Sequence, residues 1–150
     1  MTKKDFNNEI GLLYLIEGSG GVHSRIRLQK LVCLTQFTQK EISPFSFDYK
    51  SYYYGPYSEA LREKVEDLIQ RELIEEKVFY HGDESEDAET FSYSYRLTEK
   101  GRELLRKNLC KMKEKVKAVN NILERYGHSP NRVIIKDAKA IFGMDDKEKK

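Results

Sequence analysis

The chain has 150 residues, 39% hydrophobic and 35% charged, with a formal net charge of +2. A chain of that length buries roughly two-thirds of its unfolded surface on folding, so neither a metal nor a disulfide is needed to hold it together. No apolar run approaches membrane-spanning length, no signal-peptide core follows Met1, and only Cys33 and Cys110 are present, so free thiols in a cytoplasmic protein are expected.

Residues 5 to 17 read as a first helix, with Phe6, Ile10, Leu13 and Tyr14 on one side. Gly18-Ser19-Gly20-Gly21 stops it. That cluster lacks the Gly-Lys-Ser/Thr and the preceding strand of a phosphate loop, so it reads as a helix cap and turn. Ser24 caps a second helix over 25 to 38, whose broad apolar face of Ile26, Leu28, Leu31, Val32, Cys33, Leu34 and Phe37 places it centrally. Arg25, Arg27 and Lys30 gather near its start, where positive charge opposes the helix dipole. They serve either a partner or simply a solvated face.

Phe45, Phe47 and Tyr49 then alternate with Ser46, Asp48 and Lys50 as in a half-buried strand. The stretch Tyr52-Tyr53-Tyr54-Gly55-Pro56-Tyr57 follows. Gly55 admits angles closed to other residues, and Pro56 sets a stiff elbow. The tyrosines can stack on bases or anchor a protein partner, but the need of a small sheet for bulky packing favours an aromatic core under the elbow. Ser58 caps a third helix with Leu61, Val65, Leu68 and Ile69 inward and Glu59, Arg62, Glu63, Glu66, Asp67, Gln70 and Arg71 outward. The gap between the second and third helices is too long for a tight helix-turn-helix.

Residues 76 to 80 and the alternating Phe91, Tyr93, Tyr95 and Leu97 read as a strand pair around a polar tip. Within that tip Asp83, Glu84, Glu86, Asp87 and Glu89 stand without a base. Thr98 caps one long helix in which Leu105, Leu109, Met112, Val116, Val119, Leu123 and Tyr126 recur at alternating spacings of four and three. That is a heptad seam, read as a dimerisation surface. The same stretch carries nine Lys/Arg against four Glu. A shorter helix follows Ser129-Pro130, and residues 144–150 are expected to be a disordered tail.

Tyr95-Arg96-Leu97-Thr98-Glu99-Lys100-Gly101 resembles the wing-to-helix junction of PadR-like winged-helix regulators, which dimerise through the following helix. Leu28-Gln29-Lys30-Leu31 and Tyr54-Gly55-Pro56 resemble the YwgA-like family and, more distantly, the SocA-like antitoxin (Panacea) domain. The first resemblance implies a DNA-binding regulator, the second a module whose activity is unsettled or one that binds a protein.

The expected fold is α+β and mostly helical. A winged-helix-like domain with a small antiparallel sheet spans 1–97, and C-terminal helices for dimerisation span 98–143. The expected activity is binding of double-stranded DNA by a homodimer. Arg25, Arg27, Lys30, Arg62 and Arg71 would hold phosphate, while Tyr57, Gln70 and Arg62 reach base edges. The alternative is a module of antitoxin or adaptor type, using the tyrosine elbow and the acidic tip against a basic protein. No enzyme, cofactor or metal is expected: His23, His81 and His128 stand far apart without ligand spacing. No membrane is expected among the partners.

Overall fold

The computed structural model describes residues 2–82 and 91–144. Thr2 and Asp5 form a capping box at the start of α1 (Lys3–Gly18), along which Ile10, Leu12, Leu13, Leu15 and Ile16 are all fully buried. A helix apolar on so many sides belongs inside, and α1 packs against the strand Phe91–Leu97 and the two α-helices that follow it. Ser24 caps α2 (Arg25–Thr38) by accepting from the Arg27 amide. Between the two helices, Val22 leaves the glycine turn and exchanges both backbone hydrogen bonds with Tyr95.

The stretch from Phe45 to Tyr49 forms no strand, although its alternation survives: Phe45 and Phe47 are buried while Ser46 and Asp48 are exposed. Side-chain amides replace the missing strand partner. Asn8 accepts from the Ser46 amide at 2.9 Å, and Gln36 takes both the N–H and the C=O of Phe47 at 2.8 Å. Gln29, two turns before Gln36 on α2, holds Ser58 in the same bidentate way at 2.9 Å. Buried backbone groups must find partners, and here α2 supplies them.

A short hairpin follows, β1 (Lys50–Tyr52) with β2 (Gly55–Tyr57), turned by Tyr53 and Tyr54. Ser58 then caps α3 (Glu59–Gln70), which buries Leu61, Val65 and Leu68 as its spacing predicts. β3 (Ile74–Tyr80) and β4 (Phe91–Leu97) pair antiparallel from Ile74 opposite Leu97 out to Tyr80 opposite Phe91. The hairpin root is buried and its outer half projects, with Val78, Phe79, Tyr80 and Phe91 exposed. The acidic run at 83–89 lies outside the described residues, as does the tail beyond Met144.

The Thr98 junction has a physical basis. The Thr98 amide donates to the Leu73 carbonyl and its hydroxyl to that of Glu72, while the Lys100 ammonium donates to Arg71. Gly101 sits so close that a Cβ would stand 2.1 Å from the Leu73 oxygen. These contacts tie the end of α3 to the start of the next helix.

The long C-terminal helix is broken. α4 (Glu99–Asn108) ends in a 3-10 turn (Leu109–Lys111), and α5 (Lys113–Tyr126) starts anew after Met112. A straight helix over 98–126 would run about 42 Å, against about 24 Å for the sixteen residues of α1. The break lets both pieces lie on α1. Leu105, Met112, Val119 and Tyr126 of the heptad seam are buried in the chain's own core, and Leu109, Val116 and Leu123 pack half-buried against it. At roughly 1.5–3 kcal/mol for each large apolar side chain, this burial stabilises the single chain. Ala118 and Ile122, off the seam, are buried as well, so the inward face of α5 is wider than a coiled-coil stripe. The dimer expected from the seam therefore loses its surface. α6 (Asn131–Ile141) packs on α2 and β2, and one contiguous core runs across the boundary expected at residue 97.

The architecture is α+β and mostly helical, with two separate two-stranded antiparallel sheets among the described residues. No helix among them is long and apolar enough to cross a membrane. Cys33 is buried and Cys110 exposed, both as free thiols.

Candidate functional site

Gly55 takes φ = 107°, and a Cβ there would stand 3.1 Å from Lys30 Cε and 3.4 Å from Lys139 Cγ. Only a bare Cα lets the elbow close on these two lysine stems, from α2 and α6. The Gly55-Pro56 stretch thus presses against Lys30, while Gln29 grips Ser58. The motifs Leu28-Gln29-Lys30-Leu31 and Tyr54-Gly55-Pro56, far apart in sequence, meet here.

Their meeting leaves the tyrosines outside. Tyr52, Tyr53 and Tyr54 are 52%, 66% and 61% exposed. The aromatic core expected under the elbow is not formed by these rings. A two-residue turn puts its own side chains at the tip, and the space beneath is filled by the Lys30 and Lys139 stems. The rings pack on one another instead, Tyr53 against Tyr54 at 4.8 Å and Tyr52 against the half-buried Tyr57 at 5.2 Å, both edge to face.

Beside the elbow runs a groove of about 270 Å³. One wall is the first turns of α2, with Arg25, Ile26 and Lys30. The opposite wall is α3, with Leu61, Arg62, Val65 and Glu66. Tyr54 and Tyr57 stand at the elbow end, and Glu76 and Tyr95 at the hairpin root. The Arg25 guanidinium stacks over the Tyr93 ring at 3.4 Å and donates to the Tyr95 hydroxyl, which itself donates to Glu76 at 2.8 Å. Burial and the bond to Glu76 push the Tyr95 phenol well above its ordinary range. On the other side of the elbow, Tyr53 and Tyr54 face Arg132 and Lys136 of α6, both exposed.

The residues expected to hold phosphate fare unequally. Arg27 is consumed by the turn after α5: its guanidinium donates to the carbonyls of Tyr126, Gly127 and Ser129 and to Asn131 Oδ1, at 2.7 to 3.2 Å. Arg71 forms a bidentate pair with buried Glu9 at 2.7 and 3.0 Å and reaches Asp67 at 2.8 Å. Lys64 adds a second cation to Glu9 at 3.0 Å. Burial pushes the Glu9 carboxyl up, but the bonds from Arg71 and Lys64 outweigh it and hold the carboxyl below its usual range. Arg62 is exposed and paired with Glu59. Gln70 is exposed on the far end of α3, and the outward face it shares holds Glu59, Glu63 and Glu66.

Lys30 is the surprise. It is 2% exposed, and burial, opposed by the Cys33 thiol and aided by the like charge of Lys139, pushes its ammonium down to about 8. Arg25, Lys30, Tyr57 and Arg62 thus meet in one groove, whereas Arg27, Gln70 and Arg71 do not join them. The amides of Gln29 and Gln36 escaped sequence reading. Their spacing of seven on an otherwise apolar helix face was the signal that could have found them.

Comparison with known proteins agrees with one of the resemblances. The chain is 29% identical over 142 residues to the uncharacterized protein YwgA of Bacillus subtilis (strain 168), covering 93% of this chain and 77% of that protein. No family model matches the chain. The similarity supports the resemblance to the YwgA-like family and does not extend to PadR-like regulators or the SocA-like domain.

Proposed function

We propose that the chain is a protein-interaction module that holds an acidic, extended segment of a partner polypeptide across the α2/α3 groove and the tyrosine elbow. The observation that carries this reading is the pairing of the exposed Tyr53 and Tyr54 with cations on both flanks, Arg25 and Arg62 in the groove and Arg132 and Lys136 on α6. Tyrosine and arginine are the residues that most often anchor protein interfaces. A groove of about 270 Å³ falls below the roughly 300–1,000 Å³ of small-molecule pockets and suits side chains of a chain laid over it. The expected basic partner gives way to an acidic one, because the charges beside the elbow are mostly positive.

The test is selection from a random-peptide display library, followed by mapping of backbone amide shifts. Selected peptides should be rich in Asp and Glu, move the resonances of residues 25–30, 54–57 and 61–66, and lose binding to Ile26→Glu and Tyr54→Ala. Binders without acidic enrichment, or shifts confined to other surfaces, would overturn the reading.

A duplex-DNA regulator is the second reading. It draws on Lys107, Lys111, Lys113 and Lys117, which are exposed and join no ion pair among the described residues. The acidic outer face of α3 and the internal bonds of Arg27 and Arg71 weigh against the contacts first expected. A binding constant for duplex DNA that falls steeply with salt, and less steeply after Lys113→Gln with Lys117→Gln, is its signature.

A further inference from the structure

Lys30 is a buried cation without a counter-charge. No hydrogen bond or ion pair among the described residues engages its ammonium; the groups acting on it are the Cys33 thiol, which favours its charge, and Lys139, which has the same sign and opposes it. Every sealed side-chain nitrogen and oxygen among the described residues has a hydrogen-bond partner. The Lys30 Nζ has none, so it is not sealed, and Lys30 is among the residues that line the α2/α3 groove. A buried ammonium left this way costs free energy that an anion entering the groove recovers.

The walls decide which anion fits. Leu28, Leu61 and Val65 line the approach, leaving about 270 Å³. A single side chain enters such a space, whereas a phosphate of a duplex stays with its backbone outside. Positive charge on both flanks of the elbow favours an acid within an acidic run over a lone chain end. Glu66 and Glu76 also line the groove, but Glu76 is held by the Tyr95 hydroxyl.

We propose that Lys30 Nζ anchors one Asp or Glu side chain of the partner segment, at the floor of the groove. This rests on the reading of the groove as a polypeptide site. A charge-assisted hydrogen bond formed away from water is the strong kind, so one acid of the bound segment should matter far more than its neighbours.

The experiment uses a selected peptide and variants in which each acid in turn becomes Asn or Gln, plus a form amidated at its C-terminus. Affinity is measured against the full chain and against Lys30→Met, whose folding is checked by circular dichroism. One acid should stand out: its replacement weakens binding to the wild-type chain by about tenfold to a hundredfold, the range for a hydrogen bond to a charged group. The same replacement should leave binding to Lys30→Met unchanged. Equal losses for both proteins, or a loss on C-terminal amidation alone, overturn the anchor while leaving the groove reading intact. If no peptide binds the wild-type chain, both proposals fall. Lys30-dependent binding of an oligonucleotide in place of peptide assigns the anchor to phosphate and overturns it too.

Discussion

The clamp around Arg27 and the groove around Lys30 lie one turn apart on α2, and each encloses a cation. Arg27 has four acceptors within 3.2 Å, supplied by the ends of α5 and α6. Lys30 has no acceptor among the described residues, and its neighbours are the Cys33 thiol and a second lysine. The difference teaches that basic residues clustered in sequence do not share a role. A guanidinium is a planar fork that a ring of carbonyls can satisfy, so Arg27 serves as an internal clamp. The Lys30 ammonium, on a residue that lines a mostly apolar groove, has no acceptor among the described residues, which leaves it for the proposed ligand. The Glu9 cluster belongs with the first kind: two cations converge on one buried carboxylate, and its charge is used up within the fold.

Substitutions at these cations sharpen or break the contrast. The largest effect is expected at Arg71→Ala, which leaves buried Glu9 with Lys64 alone and should cost about 3 kcal/mol in urea unfolding at pH 7. Because the Glu9 carboxyl is held below its ordinary 4.5, its contribution is present above that pH and disappears as pH falls through the lower folded value. The wild-type and Arg71→Ala stabilities should therefore converge in acid. Curves that stay parallel down to pH 2–3 would show that the pair does not carry the loss.

Lys30→Met should move the other way, because it removes a buried ammonium. The folded Lys30 releases its proton near 8 against 10.5 for an ordinary lysine, so the penalty is complete below 8 and fades as pH rises toward 10.5. Over that window the wild-type chain should gain about 2–3 kcal/mol relative to the variant. Denaturation at a series of pH values reads this directly, and a pH-independent difference would place Lys30 in water rather than in the groove floor.

Arg27→Ala should cost about 2 kcal/mol, since it strips hydrogen bonds from carbonyls at the turn after α5. Hydrogen exchange should show the loosening in α5 and α6 first. An effect spread evenly over the chain would argue against a local clamp. Arg62→Ala is the smallest: its ion pair with Glu59 is exposed to water, and such pairs add little to stability. It should leave the melting temperature almost unchanged while weakening capture of an acidic peptide.

Much of the fold was legible where local chemistry decides. Thr98, Ser24 and Ser58 cap helices as side-chain acceptors, and the alternating Phe91 to Leu97 run pairs as a strand. The resemblance motifs were legible as patterns, but their cause was not. Gln29 and Lys30 matter through Ser58 and Gly55, contacts that exist only after the chain has closed on itself. The heptad seam was read correctly as an apolar stripe and assigned to the wrong neighbour. A periodicity states which face seeks cover, never which surface provides it, and α1 was long enough to cover the seam once it broke at 109–111.

The sequence by itself determined most of the helices, the Ser24, Ser58 and Thr98 caps, the β3–β4 hairpin and the inward faces, because these depend on spacings of a few residues. Tertiary structure alone decided which cations were spent and which was left waiting. That outcome depends on whether an acceptor from a distant segment arrives within about 3 Å, the reach of a hydrogen bond. For Arg27 and Arg71 such an acceptor arrives. For Lys30 no acceptor arrives among the described residues: its stem lies under Gly55 beside Lys139, and the groove it lines is mostly apolar.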